Sequence, residues 1–234
     1  MKIVIISLIF MSTSSFSAVL LSDDFNDGNA DGWLEVSSGA SYTVESGRYC
    51  FTHTAPDTVW GASLNSDLTG VMSVPDYSCR ANVVLNEGTM VGVVGRADAI
   101  LTRGYALIID KSGSTSCLIL VKVEGIAQGE VLAYQPGTFT SGQEYWLRLE
   151  MNGNLIGGKC WIGDAGNEPD VWDLTATDNS FQDPGVFALF GFGSDSRGSA
   201  AMALSFDDIE ITDETSLALQ GSSWAFIKAM YGLN

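Results

Sequence analysis

The chain has 234 residues, a length that suits one large all-β domain and is enough to bury a sizeable hydrophobic core. It carries 11 Lys and Arg against 28 Asp and Glu, which gives a formal net charge of −17 at pH 7. Nucleic acids and anionic membranes bind through clustered cations, so this balance argues against both as partners and is compatible with divalent cations. Glycine is abundant (26) and proline scarce (5), as expected when tight turns join many short strands.

Residues 1–18 have the pattern of a secretory signal peptide. Lys2 forms the short positive region, residues 3–11 the apolar run, and residues 12–18 a small and polar end. The apolar run is too short to span a membrane, and no other window is long and apolar enough. The sequence therefore predicts an exported bacterial protein, secreted or held at the cell surface, whose folded part begins at residue 19.

The first segment of the exported part is rich in turn residues. Asp27, Asn29 and Asp31 match the first half of a D-x-N-x-D-G calcium loop. The bidentate glutamate that closes such a loop is missing, because Ser38 stands at its position. Two interpretations follow, a structural calcium site or a turn held by Asx-type side-chain hydrogen bonds.

Short segments with apolar residues at alternate positions follow one another along the chain, with turn residues between them. Ser41–Glu45 and Arg48–His53 are predicted to form a hairpin across Ser46-Gly47. The other predicted strands are residues 59–64 (as an edge strand), 77–85, 90–97, 104–110, 117–123, 131–134, 185–193 and 201–212. This series lacks βαβ alternation and therefore predicts a two-layer antiparallel sandwich or a barrel.

Residues 144–163 give the clearest hairpin. Apolar residues occupy the odd positions from 145 to 151, and Asn152-Gly153 is the dipeptide best suited to a two-residue turn. A turn at these two residues places Leu149 opposite Ile156 and makes one face of the hairpin apolar. The other face would carry Trp146, Arg148, Lys159 and Trp161.

The exported part contains four cysteines, which are Cys50, Cys79, Cys117 and Cys160. An even number in an oxidising compartment favours two disulfides, and we expect Cys50 to pair with Cys79 and Cys117 with Cys160. The alternative is buried free thiols, because every cysteine falls within a predicted strand. No zinc site is expected, because no two cysteines are in CxxC spacing and His53 is the only histidine.

Four segments carry a resemblance to a known family. In chain order they are DDFNDGNADGW (residues 23–33), YWLRLEMNGNLIGGKCWIG (145–163), WDLTATD (172–178) and FDDIEITD (206–213). Together they resemble the concanavalin A-like, laminin-G-like jelly-roll domains of secreted bacterial proteins. The resemblance covers about residues 21–213 and implies an all-β, antiparallel two-sheet sandwich. It implies no particular activity, because this fold carries lectins, glycanases and adhesion modules.

The resemblance also implies that the first and last strands pair. This pairing would bring Asp23 and Asp24 close to Asp207 and Asp208. Two close acidic pairs repel each other unless water or a cation screens them. A structural calcium ion near this junction is one hypothesis, and the candidate metal ligands are Asp24, Asp27, Asn29, Asp31 and Asp208. The alternative is that alternate aspartates point to opposite faces into solvent.

Beyond the sandwich (residues 19–213) we expect a linker, residues 214–221, and a short C-terminal tail, residues 222–234. The tail, SSWAFIKAMYGLN, is a candidate for a short helix with three large residues on one face, namely Trp224, Ile227 and Tyr231. It resembles the SW-x-x-IK-x-x-Y tails that end some exported bacterial proteins. It is interpreted either as a docking or retention tag, or as a frayed tail or a helix packed on the sandwich.

The sequence lacks a recognisable catalytic motif. Retaining glucanases of this fold carry three carboxylates at alternate positions of one strand, because alternate residues share a face. Asp207, Asp208 and Glu210 come closest, but only Asp208 and Glu210 share a face. A serine hydrolase is not expected either, since there is no G-x-S-x-G elbow and His53 lies at a predicted strand end. We therefore expect no enzyme activity, with a degenerate or unrecognised glycanase as the alternative.

The function class that remains is binding, as a carbohydrate-binding or adhesion module whose partner is a glycan or a cell-surface component. Such modules present aromatic rings that stack on sugar C–H surfaces, beside polar groups that fix the orientation. The candidate ligand-binding residues are Trp60, Arg96, Arg103, Tyr105 and Trp161. For each tryptophan the alternative is core packing. The rival from another class is a structural cell-envelope protein tethered through residues 222–234.

Overall fold

The described elements are strands joined by turns, as the alternating pattern predicts. The computed structural model describes residues 18–54, 57–65, 73–125, 128–194 and 201–214. These ranges contain fifteen strands and one short 3-10 helix, Ala165–Asn167, and no helix within them is long and apolar enough to cross a membrane. The predicted signal peptide (apart from residue 18) and the predicted C-terminal helix lie outside the described residues.

One sheet has eight antiparallel strands. They are β1 (Val19–Asp23), β3 (Ser41–Glu45), β4 (Arg48–His53), β6 (Tyr77–Glu87), β11 (Glu144–Asn152), β12 (Leu155–Trp161), β13 (Leu174–Thr177) and β15 (Met202–Asp213). Their order across the sheet is β13-β12-β11-β6-β15-β4-β3, and β1 pairs with the second half of β15 beyond the stretch that β4 occupies.

The other sheet has seven antiparallel strands. They are β2 (Trp33–Ser37), β5 (Val59–Asn65), β7 (Met90–Ala97), β8 (Gly104–Asp110), β9 (Cys117–Val123), β10 (Gly129–Pro136) and β14 (Val186–Gly193). Their order is β10-β9-β8-β7-β14-β5-β2. The chain therefore forms a two-sheet antiparallel sandwich, which confirms the predicted architecture.

The core lies between the sheets and takes alternate residues from each strand. On β11 the inward-facing residues Tyr145, Leu147, Leu149 and Met151 are all at most 6% exposed. They pack in one cluster with inward-facing residues of the seven-stranded sheet such as Leu107. The faces of the central hairpin are thus as predicted, because period-two alternation buries one side of each strand.

The turn of this hairpin lies one residue later than predicted. Asn152 pairs with Leu155, so the turn residues are Gly153 and Asn154, and Leu149 faces Gly158 instead of Ile156. Gly153 has a φ of +56°, a backbone conformation that suits glycine. Because each partner moves by two residues, every side chain keeps its predicted face.

The first and last strands pair, as the resemblance implied. Asp23 lies opposite Ile209, and the backbone NH of Asp213 donates to the carbonyl of Ala18 at 2.9 Å. The first and last strands of the described chain are therefore neighbours in the eight-stranded sheet. This pairing also places the last described residue, Glu214, beside the start of the first strand.

Other strand predictions differ in detail. The hairpin of β3 and β4 has the predicted bounds and pairs Glu45 with Arg48. Strand β5 was expected at an edge but lies between β14 and β2. The pattern missed β2 and β13, each of which is one of the two edge strands of its sheet. Edge strands lack a second neighbour and are often short, so their alternation signal is weak.

The two expected disulfides are not formed, because all four cysteines are free thiols. Cys79 points into the core, whereas Cys50 lies between two core residues on β4 and therefore faces outward. Cys160 packs against the inter-sheet core, and Cys117 packs on the outer face of the other sheet. A disulfide needs Cβ atoms directed at each other, and neither pair meets this condition.

Candidate functional site

Several strands of the seven-stranded sheet are apolar on both faces. On β8, Tyr105, Leu107 and Ile109 point into the inter-sheet core, while Ala106 and Ile108 belong to a second cluster on the outer face. A sheet with one face in water usually alternates apolar and polar residues. The outer face of this sheet therefore has the apolar composition of a face that is shielded from water.

The outer face contains a groove that encloses about 310 Å³, a volume in the range of small-ligand sites. We call one part of it the aromatic end and define it by Trp60, Met90, Asp110, Phe190 and Phe192. The strand register aligns four of these in one rung, with Trp60 opposite Phe192, Phe192 opposite Met90, and Met90 opposite Asp110. Three aromatic rings on two neighbouring strands thus line the same groove as a carboxylate that lies two strands away from Phe192.

The other part of the groove, the aliphatic end, is defined by Val94, Leu101, Ala106, Val121 and Val123. Val94 lies opposite Ala106, and Ala106 lies opposite Val121, so one rung crosses β7, β8 and β9. Leu101 reaches the groove from the loop between β7 and β8. This end offers apolar contact but no charged group among its defining residues.

Asp110 is the only charged side chain among the described residues that line the groove. One of its carboxylate oxygens accepts the backbone NH of Ser112 at 2.7 Å, which fixes the carboxylate at the end of β8. A fixed carboxylate in a groove that also contains aromatic rings can accept hydrogen bonds from hydroxyl groups while the rings contact an apolar surface.

Trp60 is the one residue among the five sequence-based candidates that lines this groove. Its side chain is half-buried on the outer face, and its backbone is held by Ser38. The NH of Trp60 donates to Oγ of Ser38 at 3.0 Å, and the NH of Ser38 donates to the Trp60 carbonyl at 3.1 Å. The ring is therefore presented by a fixed backbone.

Arg96 lies inside the protein, with its side chain fully buried. Its guanidinium donates to the carbonyls of Pro75, Gly153 and Phe181 at 2.7–2.9 Å and to Oδ1 of Asp76 at 2.8 Å. The side chain forms hydrogen bonds with three loops at one end of the sandwich, so it lies outside the candidate site.

Tyr105 is also buried, on the inward face of β8. Its hydroxyl donates to a carboxylate oxygen of Asp178 at 2.5 Å and accepts the NH of Phe181 at 3.2 Å. Burial, together with the hydrogen bond to Asp178, raises the pKa of Tyr105 to about 12. Arg103 lies half-buried in the same loop as Leu101. The structure therefore brings neither Tyr105 nor Arg103 into contact with Trp60.

Trp161 lies on the outer face of the eight-stranded sheet and is 6% exposed. Its ring stacks on Trp146 with centroids 5.9 Å apart, and its indole NH donates to the Asp164 carbonyl at 3.1 Å. It also lines a second pocket of about 330 Å³ beside Tyr145 and Cys160. Trp161 and Trp60 are on different sheets, so they do not form one site.

The side chains predicted as calcium ligands form hydrogen bonds that stabilise turns. Oδ1 of Asp24 accepts the NH of Asn26 at 3.1 Å, and Oδ1 of Asp27 accepts the NH of Asn29 at 3.1 Å. The Asn29 side chain accepts the NH of Asp31 at 2.8 Å in the same way. Asp208 is exposed on β15. In the described ranges, no group of three or more His, Cys, Asp or Glu is placed to hold a metal ion.

The acidic residues of β15 are engaged by arginines. Asp207 lies 3.3 Å from Arg48, and Glu210 lies 3.2 Å from Arg80. Burial and the neighbouring charge of Asp208 raise the pKa of Asp207, while Arg48 partly offsets this rise. A bulge in β15 also separates Asp207 from Glu210. These carboxylates do not form the row of acids that a retaining glucanase uses.

Sequence reasoning missed four of the five residues that define the aromatic end, namely Met90, Asp110, Phe190 and Phe192. A signal for three of them was present in β14, whose sequence VFALFGFG is apolar at nearly every position, and in the apolar start of β7. An unbroken apolar strand is typical of burial on both faces. Asp110 had no comparable signal, because its place in the groove depends on the register of three strands.

Comparisons with known proteins identify the fold. No protein-family model matches the chain, and no curated protein matches it. Several hundred solved structures do match. The carbohydrate-binding module CBM66 from Bacillus subtilis is 14% identical with a TM-score of 0.57, and the match covers 78% of this chain and 96% of that one.

Two lectin structures give similar values. The Ca²⁺-bound exoplasmic/lumenal domain of VIP36 is 10% identical with a TM-score of 0.60, covering 83% of this chain and 90% of that one. Lectin II from Ulex europaeus is 10% identical with a TM-score of 0.57, covering 83% and 99%. Structural similarity at such low sequence identity establishes the fold and does not identify the ligand. The chain therefore has the two-sheet jelly-roll sandwich fold that these structures share.

Proposed function

We propose that the protein is a secreted, non-catalytic carbohydrate-binding or adhesion module that binds a glycan at the aromatic end of the outer groove. The observation that carries this proposal is the rung in which Trp60 faces Phe192, with Asp110 two strands further across the sheet. Aromatic faces contact sugar C–H surfaces, and a carboxylate accepts hydrogen bonds from sugar hydroxyls.

The comparisons support the same class of ligand. The CBM66 structure is described as a carbohydrate-binding module, and VIP36 was also solved in a form with bound Ca²⁺ and mannose. Secretion rests on the signal-peptide pattern of residues 1–18. We expect no catalysis because the three acids of β15 that come closest to a catalytic row are either paired with an arginine, as Asp207 and Glu210 are, or exposed, as Asp208 is.

Calcium is not part of the proposed mechanism. The oxygens of Asp24, Asp27 and Asn29 each accept a backbone NH within their own turn, and they do not converge on a common point with Asp208. The described residues do not fit a calcium site as they are arranged. We therefore expect glycan binding to be the same in the presence of a chelator and of added calcium.

The test is binding to a glycan array and to immobilised polysaccharides. Trp60→Ala should weaken binding at least about tenfold, which corresponds to about 1.4 kcal/mol. Tyr134→Ala is the matched control, because Tyr134 is an aromatic residue of the same sheet that is 67% exposed and does not line the groove. The proposal is overturned if the wild-type protein binds no glycan, or if both variants bind as the wild type does.

A further inference from the structure

The aliphatic end of the groove is an apolar sheet face that nothing described covers. In the described part of the chain, the outer cluster draws all its members from the seven-stranded sheet and from Leu101. Val121 and Val123 of the aliphatic end are only half-buried. An apolar face of this kind in a protein of net charge −17 requires an apolar cover to stay out of water.

The chain leaves the sandwich at the same end as this face. Glu214 is 2% exposed; its NH donates to the carbonyl of Asp76, and its carboxylate accepts from Ser78 and Arg148. Asp76 also binds Arg96, which lies on β7 two residues beyond Val94 of the aliphatic end. The chain therefore leaves the eight-stranded sheet at the end of the sandwich where Arg96 lies, and it must pass to the other sheet to reach the groove.

The chain beyond this point is long enough to reach the groove. Twenty residues, 215–234, follow Glu214. The seven residues 215–221 can extend over roughly 23–25 Å, which exceeds the roughly 10 Å between packed sheets. The last 13 residues would span about 20 Å as a helix, a little less than the roughly 27 Å length of eight-residue β7.

The composition of this segment suits an apolar partner surface. Residues 215–234 contain no Asp or Glu, in a chain that has 28 of them, and their only charged side chain is Lys228. The segment also carries a set of large apolar residues, which are Leu217, Leu219, Trp224, Phe226, Ile227, Met230, Tyr231 and Leu233. Exposing these large apolar side chains to water is unfavourable, and burying them in a hydrophobic groove is favourable.

We propose that residues 215–234 bind back onto the aliphatic end of the outer groove in the same molecule, with Trp224, Ile227 and Tyr231 directed at the sheet. This intramolecular contact supplies the second apolar layer that the outer face lacks. It is separate from glycan binding, because the aromatic end is defined by other residues, and it does not depend on the proposed function.

A photo-cross-linking experiment on the full chain tests this proposal. The photoreactive residue p-benzoylphenylalanine is placed at position 227, the protein is irradiated at low concentration, and the monomer is digested for mass spectrometry. The expected product is an intramolecular cross-link from position 227 to peptides of β8 or β9. Cross-links found only between molecules, or only to residues outside the groove, overturn the proposal.

A groove variant with a matched control completes the test. Val121→Lys places a charge in the aliphatic end at a half-buried position and should reduce the intramolecular cross-link at least several-fold. Val171→Lys makes the same change at a site that is 76% exposed and outside the groove, and should leave the yield unchanged. Both variants are checked for native circular dichroism. Equal yields in the two folded variants contradict the proposed site.

Discussion

Nη2 of Arg96 lies 2.8 Å from Oδ1 of Asp76, and the Arg96 side chain is fully buried. The same Asp76 oxygen accepts the NH of Gly153 at 2.9 Å. One ion pair therefore holds β7, the turn of the central hairpin and the residues before β6 in a fixed arrangement. These contacts hold the end of the sandwich at which the chain exits.

Loss of this ion pair should strongly destabilise the protein. Arg96→Met removes the positive charge and four hydrogen bonds of the guanidinium, and it leaves buried carbonyls and the Asp76 carboxylate without partners. We expect a loss of about 3–5 kcal/mol in the free energy of unfolding, measured by urea denaturation. Arg103→Met, in the neighbouring loop, is the control and should cost less than about 1 kcal/mol. Equal losses would contradict the structural role of Arg96.

The pH dependence of stability should reflect Glu168. Burial raises the pKa of this carboxyl, but the hydrogen bond from Lys159 and the charges of Arg148 and Lys159 outweigh burial and lower it below 4.5. A lowered folded-state pKa gives stability that is present above about pH 4.5 and is lost as the pH falls through the folded-state value. Glu168→Gln should therefore be destabilising at pH 7, with a difference from wild type that shrinks towards pH 3. Urea denaturation at several pH values measures this difference.

The pKa of Glu150 is shifted in the opposite direction from the pKa of Glu168. Burial and the charge of Glu214 raise the pKa of Glu150 above 4.5, with Arg148 opposing them. A raised folded-state pKa means that this group contributes less stability as the pH rises from about 4.5 through the folded-state value. Glu150→Gln should therefore gain stability relative to wild type between pH 4 and pH 7. A pH dependence parallel to that of Glu168→Gln would contradict this assignment.

All four cysteines should react as thiols without a reductant once the protein is unfolded. Burial raises the pKa of Cys79 and of Cys160 to about 12, so both are protonated at pH 8 and react slowly in the folded protein. Alkylation of the purified protein in urea should label all four positions. Labelling of only two, or of none, would show that disulfides form.

The turn of the central hairpin should be sensitive to a single methyl group. Gly153→Ala places a side chain at a φ of +56°, although nothing lies within 4 Å of the new carbon atom. The strain should cost about 1–2 kcal/mol. Gly166→Ala is the matched control, because it also has open space but no positive φ, and it should change stability by less than about 0.5 kcal/mol. The thermal unfolding of each variant, compared with that of the wild type, measures these two changes in stability.

The sequence by itself determined the antiparallel all-β class, the order of most strands along the chain and most inward-facing residues, and its resemblance to jelly-roll domains favoured a sandwich over a barrel. The first three features depend on local alternation, because each strand must bury one face whatever its neighbours are. The bounds of β7, β8 and β9 and the apolar face of β11 were therefore predictable from residues within each segment.

Only the tertiary structure decided the site. The groove depends on which strands are neighbours, so Trp60, Phe192 and Asp110 line one groove through the register of four strands and not through any short motif. The same holds for Arg96, whose sequence context gives no sign that three loops surround it. Burial on the second face of a sheet, and the direction of each cysteine, are set by packing between elements that are distant in sequence, which local patterns do not encode.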